Sequence, residues 1–146
     1  MIQFRTAIYS GLLASVLGLG ACSMMPHASS VSASLSGASE VPANTSAATG
    51  SLDASLNKDT HVLSWTVTYA GLSGPTTGGH FHGPAMAGQN AGVVVPLGGS
   101  LASPIKGMAT LTAAQESDLM AGKWYLNLHT AAHPGGEIRG QVTFRP

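Results

Sequence analysis

His61-Val-Leu-Ser-Trp-Thr-Val-Thr-Tyr69 is the stretch that decides the fold. Apolar and polar side chains alternate along it. Leu63, Trp65, Val67 and Tyr69 share one face, and Ser64, Thr66 and Thr68 share the other. A period of two is that of a half-buried β-strand, and the β-branched and aromatic residues suit a pleated surface. Upstream, Gly50-Ser-Leu-Asp-Ala-Ser-Leu56 alternates in the same way, and Asn57-Lys58-Asp59 between the two runs predicts a hairpin. Val31 to Ser36 alternates as well. Further strands are expected at 78–82, 92–96, 107–111, 123–129 and 137–144, separated by Gly, Pro, Asn and Ser clusters. One helix interrupts them. Thr112-Ala-Ala-Gln115 has the capping-box spacing, Ala113 to Ala121 favours helix, and Gly122 is a natural stop. The expectation is an all-β fold, an antiparallel Greek-key sandwich or barrel with one short helix.

The chain has 146 residues, enough for one domain. Only 8% are charged, and six Lys and Arg balance six acids. No basic patch is available for a nucleic acid, and no polybasic or acidic segment for a membrane surface. The single Cys excludes an intrachain disulfide. Residues 1–21 read as an export signal: Arg5 lies in a short n-region, and an uncharged, mostly apolar run follows to Gly20. Leu19-Gly20-Ala21-Cys22 resembles the bacterial lipobox, in which the Cys is lipidated and becomes the new N-terminus. Cys22 is therefore the expected lipid anchor and the membrane the expected partner. Ser23 fits the sorting pattern for an outer membrane, so the expected location faces the periplasm or lies at the cell surface. Residues 22–30 read as a tether, and 31–146 as the domain. Met24, Met25 and His27 in the tether are soft or borderline metal ligands, although a tether that merely contains them is the plainer reading.

The chemistry sits in the histidines, of which there are six. Gly78-Gly79-His80-Phe81-His82-Gly83-Pro84 places two at i and i+2. On a strand these leave one face about 6.5–7 Å apart, close enough for one ion to be held by both. Phe81 points the other way, into the core, and the flanking glycines leave room. In Trp124-Tyr125-Leu126-Asn127-Leu128-His129, the Trp and the leucines form the core face, so Tyr125, Asn127 and His129 lie opposite. If the two strands are near each other, His80, His82 and His129 converge on one outer face. Three imidazoles are a standard set for copper or zinc. His133, in the following Gly/Pro turn, is a possible fourth ligand. Glu137, at the parity of the exposed face, is a candidate to orient an imidazole from behind. His61 shares parity with core residues and reads as a strand-end residue. No Ser lies in a nucleophile elbow, and Glu40, Asp53, Asp59, Glu116, Asp118 and Glu137 are too scattered to pair, so no catalytic residue is assigned.

Leu35-Ser-Gly-Ala-Ser-Glu-Val-Pro42, Gly79-His-Phe-His-Gly-Pro84 with Asn90-Ala-Gly-Val-Val94, and Tyr125-Leu-Asn-Leu-His-Thr130 with Gly135-Gly-Glu-Ile-Arg-Gly-Gln141 together resemble the CHRD (chordin) domain family in its bacterial lipoprotein form. The likeness runs from about Val31 to Phe144 and implies an exported domain without a defined activity. A second resemblance is to the copper-site layout of Cu,Zn superoxide dismutase, a Greek-key barrel with an H-x-H pair and a later His. That likeness gives Arg139 the role of an anion-guiding arginine. No set of ligands for a zinc or bridging site lies between His82 and His129. Three readings follow: a copper-binding module for metal buffering or delivery, with zinc held more weakly; a structural or adhesive module without metal; and a redox enzyme of the dismutase type.

Overall fold

The computed structural model of the chain describes residues 29–146. The signal segment, Cys22, His27 and the tether up to residue 28 lie outside the described residues. Nine strands form one highly curved, nearly closed antiparallel sheet. They are β1 (Ser29–Ser36), β2 (Thr49–Asn57), β3 (Val62–Ala70), β4 (Thr76–His82), β5 (Val93–Pro96), β6 (Ile105–Thr110), β7 (Tyr125–Thr130), β8 (Ile138–Gln141) and β9 (Thr143–Arg145), with one α-helix among the described residues, α1 (Ala113–Met120), between β6 and β7, and a 3-10 turn (Gly37–Ser39) after β1. The strand order is β5-β4-β7-β8-β1-β2-β3-β6, with β9 also paired to β1. β1, β2 and β3 form a meander, and β8 returns from far along the chain to lie beside β1, which is the Greek-key arrangement.

The alternation read from residues 61–69 holds. Leu63, Trp65 and Val67 are buried on β3, facing Leu52, Ala54 and Leu56 of β2. The hairpin between them is closed by the Asn57 carboxamide, which accepts from the amides of Asp59 and Thr60, each at 3.0 Å. Two details differ from the expectation. Ser29 and Ser30, assigned to the tether, open β1 and pair with Leu56 and Ser55 of β2. Backbone pairing decides this, and such small polar residues give no periodic signal. The run 137–144 is also two strands, since Gln141 pairs with β7 and Thr143 with β1.

Phe81 joins the halves of the core. Its ring packs edge-on to Trp65 at 5.3 Å and against Trp124 at 5.8 Å. Leu126, Leu128, Ile138 and Ile105 are fully buried around it. Each such side chain contributes about 1.5–3 kcal/mol by leaving water. The capping box forms as read: the Thr112 hydroxyl accepts from the Gln115 amide at 3.2 Å, and the Gln115 side chain accepts from the Thr112 amide at 2.8 Å. His61 is exposed at the end of the β2–β3 turn and pairs with Glu116 of α1 at 2.6 Å, a strand-end role. No helix among the described residues is long and apolar enough to cross a membrane.

Candidate metal centre

β4 and β7 are hydrogen-bonded neighbours, with Gly78 opposite His129, His80 opposite Asn127 and His82 opposite Tyr125. Strand parity sends Phe81, Leu126 and Leu128 inward, so the histidines leave by the other face. His80, His82 and His129 each offer a ring nitrogen there, and these atoms lie within 4.8 Å of one another. Gly78 leaves room beside the rings: a β-carbon on it would lie a tight 3.1 Å from the His80 ring and in ordinary contact, 3.6 Å, with that of His129.

Part of this outer face is closed to water, which parity alone does not show, while His80 and His129 stay half-buried. His82 is 9% exposed, and Tyr125 and Asn127 are each 3% exposed. The segment 83–92 folds across them. Tyr125 Oη donates to the Ala91 carbonyl and accepts from the Ala91 amide, both at 3.2 Å. The His82 ring stacks on Tyr125 at 4.7 Å, nearly parallel, and the Arg139 guanidinium lies 3.4 Å from the centre of the Tyr125 ring. Arg139 is itself buried, donating to Asn90 Oδ1 at 2.9 Å and to the Gln89 carbonyl. It therefore clamps the covering segment and backs Tyr125, rather than reaching the imidazoles as an anion guide.

The imidazoles have more acceptors around them than protons to give. His82 Nδ1 lies 3.0 Å from the Ala91 carbonyl and its Nε2 3.0 Å from Asn127 Oδ1. His129 Nδ1 lies 2.9 Å from the Pro134 carbonyl and its Nε2 2.9 Å from the same Asn127 oxygen. A neutral imidazole carries one N–H. Whichever nitrogen holds it, the other lone pair of each ring faces an oxygen. With both protons on Nδ1, each satisfied by a backbone carbonyl, the two Nε2 lone pairs and Oδ1 converge without a donor among them. His80 Nδ1 closes the group at 3.3 Å from His129 Nε2. A second proton on His82 would relieve the conflict, but burial, foremost, holds its pKa below the usual 6.5, with His129 and Arg139 also unfavourable, against the help of Ala91 and Asn127. His80 is lowered too, first by burial and then by the charges of His129 and His82. A cation among the nitrogens would give these lone pairs a common partner. The donor set fits a borderline divalent ion, and carbonyl-held Nδ1–H groups are the usual outer support of metal-ligating imidazoles.

Two other residues named from the sequence sit elsewhere. His133 is not among the converging ligands; its turn is tied back by its amide donating to the Thr130 carbonyl at 3.1 Å. Glu137 is fully buried rather than on an exposed face, and it touches no imidazole. It accepts from Ser46 Oγ at 2.8 Å, the Ser73 amide at 2.9 Å, and Ser73 Oγ and Thr130 Oγ1 at 2.6 Å each. Burial alone would raise its pKa, but these donors outweigh it and hold the carboxyl at about 2. The residues that sequence reading missed are Asn127 and Glu40. Strand parity alone puts Asn127 on the outward face, and its oxygen proves to lie against two imidazoles. Glu40 is buried behind it and carries a carboxyl raised to about 7, burial being the main cause, against the lowering effects of Arg139, the Val41 amide and Asn127.

A small antiparallel β-barrel domain with a partly covered three-histidine cluster is what the fold and the site define. The chain belongs to the CHRD domain family, which matches residues 31–142. No curated protein and no solved structure matches it significantly.

Proposed function

We propose that this protein is an exported, lipid-anchored copper-binding module, held to a membrane through Cys22 and used to buffer or deliver the metal in the periplasm or at the cell surface. The observation that carries the metal reading is the convergence of His80, His82 and His129, with Nε2 of His82 and of His129 turned on a shared oxygen and His80 Nδ1 beside His129 Nε2. Copper is favoured over zinc because nitrogen ligands hold Cu(II) most tightly among the divalent first-row ions. The anchor and the location rest on the sequence around Cys22 alone, with Ser23 supporting the outer membrane. A buffering role suits a domain to which no catalytic residue is assigned.

Melting of the metal-stripped protein with and without one equivalent of Cu(II) tests the reading. An ion that binds only the folded state stabilises it by mass action, by about 2.7 kcal/mol at a hundredfold excess over Kd. Wild type should melt higher with copper, and His82→Ala should not respond. An equal, small response from both would leave a structural or adhesive module as the better account. Labelling with a radioactive fatty acid in cells tests the anchor: Cys22→Ser should abolish incorporation, and an unmodified N-terminus downstream of Cys22 would overturn it.

A further inference from the structure

Among the described residues, the Asn127 side chain meets two of the three imidazoles at the ring nitrogens that converge. Its Oδ1 lies 3.0 Å from His82 Nε2 and 2.9 Å from His129 Nε2, and His80 Nδ1 lies 3.3 Å from the latter. We infer that the Asn127 carboxamide oxygen is itself a metal ligand, completing a set of three imidazole nitrogens and one oxygen that selects Cu(II) over Cu(I). The inference rests on the copper reading above and adds a ligand and an oxidation-state preference to it.

Three arguments support it. The first is spacing. Two donors each about 2.0 Å from one ion are about 2.8 Å apart when they subtend a right angle and about 3.3 Å apart at the tetrahedral angle. The two oxygen–nitrogen distances fall nearer the right-angle value, while the 3.3 Å between His80 Nδ1 and His129 Nε2 equals the tetrahedral one, so the oxygen is what sets the geometry apart. A tetragonal nitrogen–oxygen set is the preference of Cu(II), whereas Zn(II) takes a tetrahedron. The second is orientation. The Asn127 amide nitrogen lies on the side of Glu40 Oε1, and both crowd Gly136 so closely that a β-carbon there would stand 2.8 Å from one and 2.3 Å from the other. Gly136, at φ 130°, is in a backbone region that only glycine adopts readily, and it makes space for this contact. Amide and carboxyl are adjacent without meeting full hydrogen-bond geometry, so Oε1 of the buried Glu40 has no formal partner. A carboxyl on that side favours the N–H₂ end and leaves the oxygen facing the imidazoles. The third is that the four side chains brought together among the described residues, three imidazoles and a carboxamide, include no sulfur. Cu(I) is selected by thiolate and thioether ligands, and a hard carboxamide oxygen adds little for it.

The test compares Cu(II) and Cu(I) affinities, by competition with chelators for each ion, in the purified full-length protein and in Asn127→Ala and Asn127→Asp. Cu(II) spectra are recorded in parallel by electron paramagnetic resonance. Asn127→Ala should weaken Cu(II) by at least about tenfold and leave Cu(I) within about threefold, with altered Cu(II) hyperfine splitting. Asn127→Asp keeps an oxygen in place and should hold Cu(II) at least as tightly as wild type, again with a changed spectrum. A purely structural Asn127 would weaken both ions alike in the alanine variant, and that result overturns the inference. So does an unchanged spectrum in Asn127→Asp, which decides the matter if the alanine variant does not fold. Failure of wild type to bind Cu(II) at all would remove the copper reading itself. Binding by wild type with both variants indistinguishable from it would remove only the role of Asn127.

Discussion

The sheet has two outward faces built by the same alternation, and they differ in one respect. On β2 and β3 the outward residues are Ser51, Asp53, Ser55, Ser64, Thr66 and Thr68; they meet water, and Ser51 and Thr68 share a hydroxyl hydrogen bond of 2.8 Å. On β4 and β7 the outward residues are His80, His82, Tyr125, Asn127 and His129, and the segment 83–92 covers much of them. A solvated hydroxyl can exchange partners with water at little cost. A covered imidazole cannot, because a buried polar group without a partner costs about 1–3 kcal/mol. The cover therefore holds the His82 ring through the Ala91 carbonyl, while the Pro134 carbonyl holds that of His129. Polar residues on a strand become a site when something buries them, and the sheet itself does not decide that.

The largest expected effect breaks the covered face directly. His82→Ala should lower Cu(II) affinity by more than the roughly 100-fold upper range for residues that only support a ligand, and Ser55→Ala on the solvated face should leave it unchanged. Competition titration of both variants measures this, and a similar loss in each would erase the distinction between the faces. Next comes the support from below. Trp124 is buried under the same strand, and Trp124→Ala should cost about 3–5 kcal/mol in urea unfolding, with Trp65→Ala alike. Near-wild-type midpoints would mean that the strand parity is inverted.

A smaller effect sharpens the comparison through pH. His80 and His82 titrate below the usual 6.5. The unfolded chain thus takes up protons first as pH falls. Stability of the metal-free protein from these two groups is full above 6.5 and is lost as pH drops toward their lowered values. Copper affinity should likewise hold near neutral pH and decline only below that point, since protons compete for the same lone pairs. A Cu(II) affinity that already falls tenfold between about pH 8 and 7 would contradict this. Glu137 acts in a separate window. Its carboxyl is held at about 2 against an ordinary 4.5, so its contribution is present above 4.5 and lost as pH falls between the two. Glu137→Gln should flatten that part of the stability curve and leave copper binding alone. The smallest expected effect is Ser55→Ala on stability, within about 0.5 kcal/mol, as for surface positions without a special role.

Much of this was legible from the residues. Period-two alternation at 61–69 and 124–128 gave the inward faces, and through them the three histidines that share an outward one. The capping box at Thr112 was legible because its chemistry is local. The cover was not. Whether 83–92 folds over β4 and β7 depends on contacts such as Tyr125 with Ala91 and Arg139 with Gln89 and Asn90, which join positions 34 to 50 residues apart. Glu137 was misplaced for the same reason: parity says which way a side chain leaves a strand, and the Ser46, Ser73 and Thr130 hydroxyls that enclose it come from other elements. Asn127 was passed over because an amide gives no metal-ligand signal in a sequence. Only its distances to His82 and His129 supply one.

The central claim is that His80, His82 and His129 hold one copper ion, and isothermal titration tests it most directly. Metal-stripped wild type should bind Cu(II) with a saturable heat at one ion per chain, and the His80→Ala, His82→Ala double variant should give only weak heats without saturation. Equal, weak and non-saturating heats from both proteins would contradict the account.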